Sequence, residues 1–178
     1  FNDTKTFDHA DYGVEVLFKQ NIIKQIPVEE KHYHIIEKSI KNHNKYKIED
    51  NLTQEELLHA RIIRDADKID ILYSASEKFL ASKSLDLTKE KEEIRNEIKK
   101  EFYNNNQIKT SALLGKKTES EKIISYLALI FDLNYKESIK YILDNKIIDN
   151  FYNNLKDKEK YKKYFDYAKN YLKERVKC

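Results

Sequence analysis

Apolar positions along this chain recur three and four residues apart, in runs divided by short polar stretches, and that rhythm predicts helices throughout. Ala10, Val14, Leu17 and Phe18 follow Asp8, which is placed to cap a helix over residues 8–24. Pro27 opens the next segment, and Ile36, Ile40 and His43 form a stripe along a second helix over 29–43. A polar loop spans 44–51. Thr53-x-x-Glu56 then reads as a capping box heading a long third helix through Leu58, Ile62, Ile63, Ala66, Ile69 and Leu72 towards Phe79. Thr88 is the expected cap of a segment carrying Ile94, Ile98 and Phe102, with breaks at 104–106 and at Gly115. A second capping box, Thr118-x-x-Glu121, precedes Ile123, Ile124, Leu127, Ala128 and Phe131. Asn134 is the expected cap of a helix with Ile139, Ile142 and Leu143. Tyr161, Tyr164, Phe165, Ala168, Tyr171 and Leu172 line one side of a last helix. The charged stretch 88–103 is the candidate hinge or protruding arm.

Composition supports an all-α fold. Two Gly and one Pro in 178 residues leave little material for the tight turns of a sandwich or barrel. Charged residues make up 37% of the chain but the net charge is only +3, with Lys and Glu interspersed. That pattern describes solvated helix faces and disfavours a nucleic-acid stripe. Mild basicity still assists the approach of an anionic substrate. No apolar run approaches the roughly 20 residues of a membrane span. The one Cys, Cys178, excludes a disulfide framework and a Cys-rich zinc site, so the reading is cytoplasmic. The chain begins with Phe and has no Met, so native residues are expected to precede Phe1.

The chemistry-bearing residues fall into three strings. These are Asp8-His9-Ala10-Asp11-Tyr12-Gly13, Lys41-Asn42-His43-Asn44-Lys45 and Arg64-Asp65-Ala66-Asp67-Lys68-Ile69-Asp70. On the wheel of the third helix, Leu58, Ile62, Ile63, Ala66 and Ile69 share one broad face, expected to be the buried one. Asp70 falls within it, Asp67 at its border, and Arg61, Arg64 and Lys68 on another side. A carboxylate facing a core must be paired, protonated or bound to metal. A structural cluster of these acids and bases and a metal or phosphate site are equally good readings of this helix taken alone. The five His residues all lie within the first 59 positions. His43 ends an apolar stripe, and His9 shares a face with Gly13. His32, His34 and His59 read as surface or packing residues. Imidazole and carboxylate ligands without thiolates suit Mn, Mg, Fe, Co, Ni or Zn. No glycine-rich phosphate loop is present, which disfavours a P-loop enzyme.

Together the three strings resemble the HD superfamily of metal-dependent phosphohydrolases. The final Asp of that family, in an Ala-Asp context, matches Asp67, and its later His positions match His9 and His43. The resemblance covers residues 1–80 and implies the C-terminal part of an HD-like helical bundle. Residues 81–178 would be additional helices completing or capping it, as in small bacterial members. No His in the chain is followed by Asp, so the family's His-Asp doublet would lie upstream. Asn44 stands where some members carry a second His. The resemblance implies hydrolysis of a phosphate ester, of a nucleotide or small phosphorylated metabolite, with a divalent metal ion as cofactor. Asp67, His9 and His43 would be its ligands, Lys68 and Arg64 would neutralise phosphate charge in catalysis, and Asn44 and Lys45 would bind substrate. A non-catalytic nucleotide-binding module and a helical interaction module are the alternatives.

Overall fold

The computed structural model describes residues 8–81, 93–109 and 117–177. It is all-helical: α1 (His9–Val14), α2 (Tyr33–Asn42), α3 (Gln54–Ala81), α4 (Asn96–Tyr103), α5 (Glu119–Leu127), α6 (Lys136–Asp144), α7 (Ile147–Asn154) and α8 (Lys158–Lys177), with no strand among the described residues. The expected cap at Thr88 and break at Gly115 lie outside the described residues. The chain forms two compact units, residues 1–67 and 68–178, which divide within α3.

The first unit is built on α1 packed against α2. Asp8 caps α1 as expected, its carboxylate accepting from the Ala10 amide at 2.8 Å and the Asp11 amide at 3.4 Å. The predicted helix over 8–24 is broken into three pieces. A π-helical turn over Glu15–Lys19 follows α1, and a short 3₁₀ turn over Ile22–Gln25 follows Asn21, whose φ is +57°. Asn tolerates that left-handed conformation better than most residues, and the chain changes direction there. α2 buries Ile35, Ser39 and Asn42, so the expected stripe of Ile36, Ile40 and His43 lies beside the innermost face and is half-buried.

α3 begins with the predicted capping box: the Glu56 amide donates to Thr53 Oγ1 at 3.2 Å, and the Thr53 amide to Glu56 Oε2 at 2.8 Å. Over residues 54–67 its orientation reverses the expected one, whereas Ile69 packs on the apolar core of the second unit and Leu72 is buried in it, as expected. Leu58, Ile62 and Ile63 are 45%, 47% and 37% exposed. Ala66 and Asp70 are exposed as well, whereas Glu56, Ala60, Arg64 and Asp65 are buried. Partners account for this. The Arg64 guanidinium reaches backbone carbonyls of the loop after α2, and hydrogen bonding offsets the cost of burying its charge.

The second unit holds a continuous apolar core. Ile98 and Phe102 of α4 join Ile123, Ile124 and Leu127 of α5, Ile139 and Ile142 of α6, and Phe151 of α7 around Tyr161, Tyr164, Phe165, Ala168 and Leu172 of α8. The stretch expected to protrude is therefore core where it is described, since Ile98 and Phe102 are fully buried. The Thr118–Glu121 capping box is present. Glu121 is buried and also accepts from Arg95 Nε at 2.7 Å and from a terminal guanidinium nitrogen at 2.8 Å, a two-point ion pair tying the start of α4 to α5. The cap of α6 is Tyr135 and not Asn134; Asn134 instead donates to the Asp132 carbonyl at 3.1 Å. α7 is a helix the periodicity did not resolve as separate, because its eight residues carry little more than two turns of pattern.

Candidate functional site

Four of the predicted site residues gather in the first unit. His9, in the first turn of α1, and His43, at the C-terminal cap of α2, approach with their Nε2 atoms 3.0 Å apart and their rings edge to face. His43 Nδ1 lies 2.6 Å from the Ile40 carbonyl oxygen. A carbonyl only accepts, so Nδ1 carries the hydrogen, and in its neutral form the His43 ring presents the lone pair of Nε2 towards His9. In this arrangement His9 Nε2–H donates and His43 Nε2 accepts. α1 and α2 also meet at Gly13, where a Cβ would lie 3.6 Å from Ile40 Cγ2, an ordinary van der Waals distance.

Asp8 organises the other two residues. Besides capping α1, it accepts from Asn44 Nδ2 at 2.8 Å and from Lys45 Nζ at 3.2 Å. Burial pushes the Asp8 carboxyl up, but the hydrogen bonds from Asn44, the Ala10 amide and Lys45 outweigh it and hold the group at about 2. It therefore stays ionised at neutral pH and pins residues 44 and 45 beside the His9 turn. With its amide nitrogen committed to Asp8, Asn44 turns a buried Oδ1 with no hydrogen-bond partner into the structure. A buried acceptor left in this way is costly and calls for a water, an ion or a ligand donor. The sequence pattern marks Asp8 only as a cap. Its bond to Asn44 spans 36 residues, and no local pattern signals it.

Arg64 is 1% exposed. One terminal nitrogen donates to the Asn42 carbonyl at 2.8 Å and the Lys45 carbonyl at 2.5 Å, and the other to the Tyr46 carbonyl at 3.4 Å. It lies beneath the turn that carries His43, Asn44 and Lys45. Asp67 is half-buried, and Lys68, which begins the second unit, is 4% exposed. Among the described residues no three His, Cys, Asp or Glu side chains gather closely enough to hold a metal ion, so Asp67 does not join His9 and His43 in such a group. His34 and His59 are exposed and His32 half-buried, apart from the pair.

The donor set fits a divalent ion in part. The two imidazole nitrogens, 3.0 Å apart across their hydrogen bond, would be the protein's ligands to such an ion. Imidazole with oxygen donors suits the first-row divalent ions, and the remaining positions would be filled by oxygens of water or substrate. No helix of the described residues is long and apolar enough to cross a membrane. No family model, no curated protein and no solved structure matches the chain.

Proposed function

We propose that this chain hydrolyses phosphate esters, of a nucleotide or a small phosphorylated metabolite, with a divalent metal ion held by His9 and His43. The observation that carries the reading is the 3.0 Å approach of the two Nε2 atoms from separate helices. It is supported by the partnerless Asn44 Oδ1 and by the Lys45 ammonium, both held near His9 through Asp8. The HD-like bundle belongs to the same proposal, with Asp67 a ligand only if it moves towards the pair.

A divalent ion, when bound, supplies Lewis acidity towards a phosphoryl oxygen. The remaining work falls to the chain. The Ile40 carbonyl fixes the His43 ring so that Nε2 stays a donor atom. For both rings to serve as ligands the hydrogen on His9 Nε2 must move to Nδ1, so that both Nε2 lone pairs are available to the ion. Lys45 exchanges part of its contact with Asp8 for a phosphate oxygen and offsets its charge. Asn44 Oδ1 accepts a hydrogen bond from the attacking water or from a hydroxyl of the substrate. The Asp8 carboxylate keeps the Asn44 amide from rotating.

The test is Mn²⁺ binding by electron paramagnetic resonance on the full chain, with hydrolysis of p-nitrophenyl phosphate and nucleoside monophosphates. His9→Ala and His43→Ala should each weaken Mn²⁺ binding by about tenfold or more and abolish turnover. Wild-type levels of both in either variant would sink the reading. A chain that binds a nucleoside phosphate and leaves it intact with Mn²⁺ would instead be a sensing module.

A further inference from the structure

We propose that Arg64 is the positioning residue of the ligand-bearing turn, acting through its backbone and not on a phosphate. This rests on the preceding reading of His9 and His43. A side chain 1% exposed meets no solvent-borne anion. Its guanidinium instead gathers the carbonyls of Asn42, Lys45 and Tyr46, the first and the last two of five consecutive residues whose middle members are His43 and Asn44. These carbonyls lie at and just beyond the end of α2, where helical hydrogen bonding has run out and a cation is favoured by the helix dipole.

The same turn is held by the side chain of Asn42, which is 2% exposed. Its Nδ2 donates to the Lys38 carbonyl at 2.8 Å and its Oδ1 accepts from the Glu49 amide at 3.0 Å. Asn42 thus closes the loop from 42 to 49, while Arg64 sets the height of the segment between. The His43 ring, bonded to the Ile40 carbonyl, follows its own backbone, so a shift of the turn moves Nε2 relative to His9. Asn44 and Lys45 would move with it, away from Asp8. Only a planar fork reaches carbonyls in these separate directions. The Lys ammonium is one point charge and cannot span them.

The experiment compares the wild-type chain with Arg64→Lys, Arg64→Met and a control, Ile35→Val, which trims a buried apolar side chain in the same unit. Each variant is read for helix content, Mn²⁺ affinity per folded molecule, and amide hydrogen exchange at His43, Asn44 and Lys45. Positioning predicts that Arg64→Lys folds, binds Mn²⁺ about tenfold more weakly and exchanges faster at the three turn amides. Ile35→Val should lower the melting temperature and leave affinity and turn exchange unchanged. Wild-type affinity and turn exchange in folded Arg64→Lys would overturn the proposal, and so would an equal loss in Ile35→Val. If the wild-type chain binds no Mn²⁺, the metal reading fails by itself and turn exchange decides for Arg64. Should Arg64→Met fail to fold, the Lys variant carries the test.

Discussion

The two units solve burial in opposite ways. In residues 68–178 aromatic and aliphatic side chains from α4 to α8 form one apolar cluster, and rings meet edge to face, as Phe102 does with Tyr164 at 5.4 Å and Phe151 with Phe165 at 5.3 Å. Among the described residues of the first unit, 8–67, the buried apolar side chains are few (Ala10, Val14, Ile23, Ile35 and Ala60), and they share the interior with Ser39, Asn42, Glu56, Arg64 and Asp65. Apolar burial is non-directional, so the second unit needs volume and shape. Buried polar groups are stable only in a connected set, so the first unit needs specific partners at specific atoms. The unit that orders its interior by hydrogen bonds is also the one that holds the imidazole pair. Residues 1–67 are the place where stability has been traded for defined geometry.

The largest effect should follow from emptying the apolar core. Phe151→Ala removes a fully buried ring and should cost about 3–5 kcal/mol, measured by urea unfolding followed through the tyrosines of α8. A cost below about 1 kcal/mol would mean that the second unit is packed no better than the first. Next comes the buried ion pair within it. Arg95 stays 31% exposed, so Glu121→Ala removes its charge-assisted hydrogen bonds and the Thr118 capping box without stranding a buried charge, and should cost about 2 kcal/mol. The bonds from Arg95 hold the Glu121 carboxyl below its ordinary range, burial opposes them, and the Thr118 amide adds to the lowering. A carboxyl that is lower in the folded chain stabilises it above the unfolded value, near 4.3. That contribution should be lost as pH falls below about 4, and Glu121→Gln should flatten the loss. An unchanged acid slope in Glu121→Gln would remove the pair from the second unit's stability.

This difference between the units also decides what could be read in the sequence. The helices of the second unit were largely legible, because the side chains with helical period are the ones buried: Ile98 and Phe102, Ile123 and Leu127, Tyr161, Tyr164, Phe165, Ala168 and Leu172. Capping boxes at Thr53 and Thr118 were legible for the same local reason. The orientation of α3 over residues 54–67 was not. Periodicity finds a face, but it assigns that face to the interior only when apolar burial is the dominant force, and Arg64 with its carbonyl partners reverses the assignment. At the site, the inward positions of His9 and His43 made both candidate ligands, but spacing along the chain does not show that their rings meet. The grip of Asp8 on Asn44 and Lys45 and the role of Asn42 depend on contacts across dozens of residues or on a loop conformation, which one-dimensional spacing does not encode.

A smaller effect tests how tightly the first unit is drawn together. Gly13 is helical and at the α1–α2 contact, and a Cβ there meets Ile40 Cγ2 at 3.6 Å, an ordinary van der Waals distance. Gly13→Ala should therefore stabilise the chain by about 0.5–1 kcal/mol through the lower entropy of the unfolded state, with Mn²⁺ binding intact. Destabilisation or loss of binding would show that the His9 turn needs more room than the structure gives it.

The smallest effect belongs to the outward face of α3. Leu58 and Ile62 fall on an apolar stripe that by period alone should be core, yet each leaves nearly half its surface in solvent. If the charged face is the true interior, Leu58→Gln and Ile62→Gln remove little buried area and should change stability by no more than about 0.5 kcal/mol. Arg64→Met in the same helix, which leaves the carbonyls of Asn42, Lys45 and Tyr46 without their donor, should cost several times as much. Parallel urea titrations of these variants measure the contrast directly. A cost above about 2 kcal/mol at Leu58 or Ile62, comparable to a core truncation, would mean that the stripe is covered in solution. The first unit would then resemble the second in being held by apolar contact, and the contrast between them would collapse. A near-zero cost at both positions, beside a large one at Arg64, would leave hydrogen bonding to the His43 turn as the reason this helix faces the way it does.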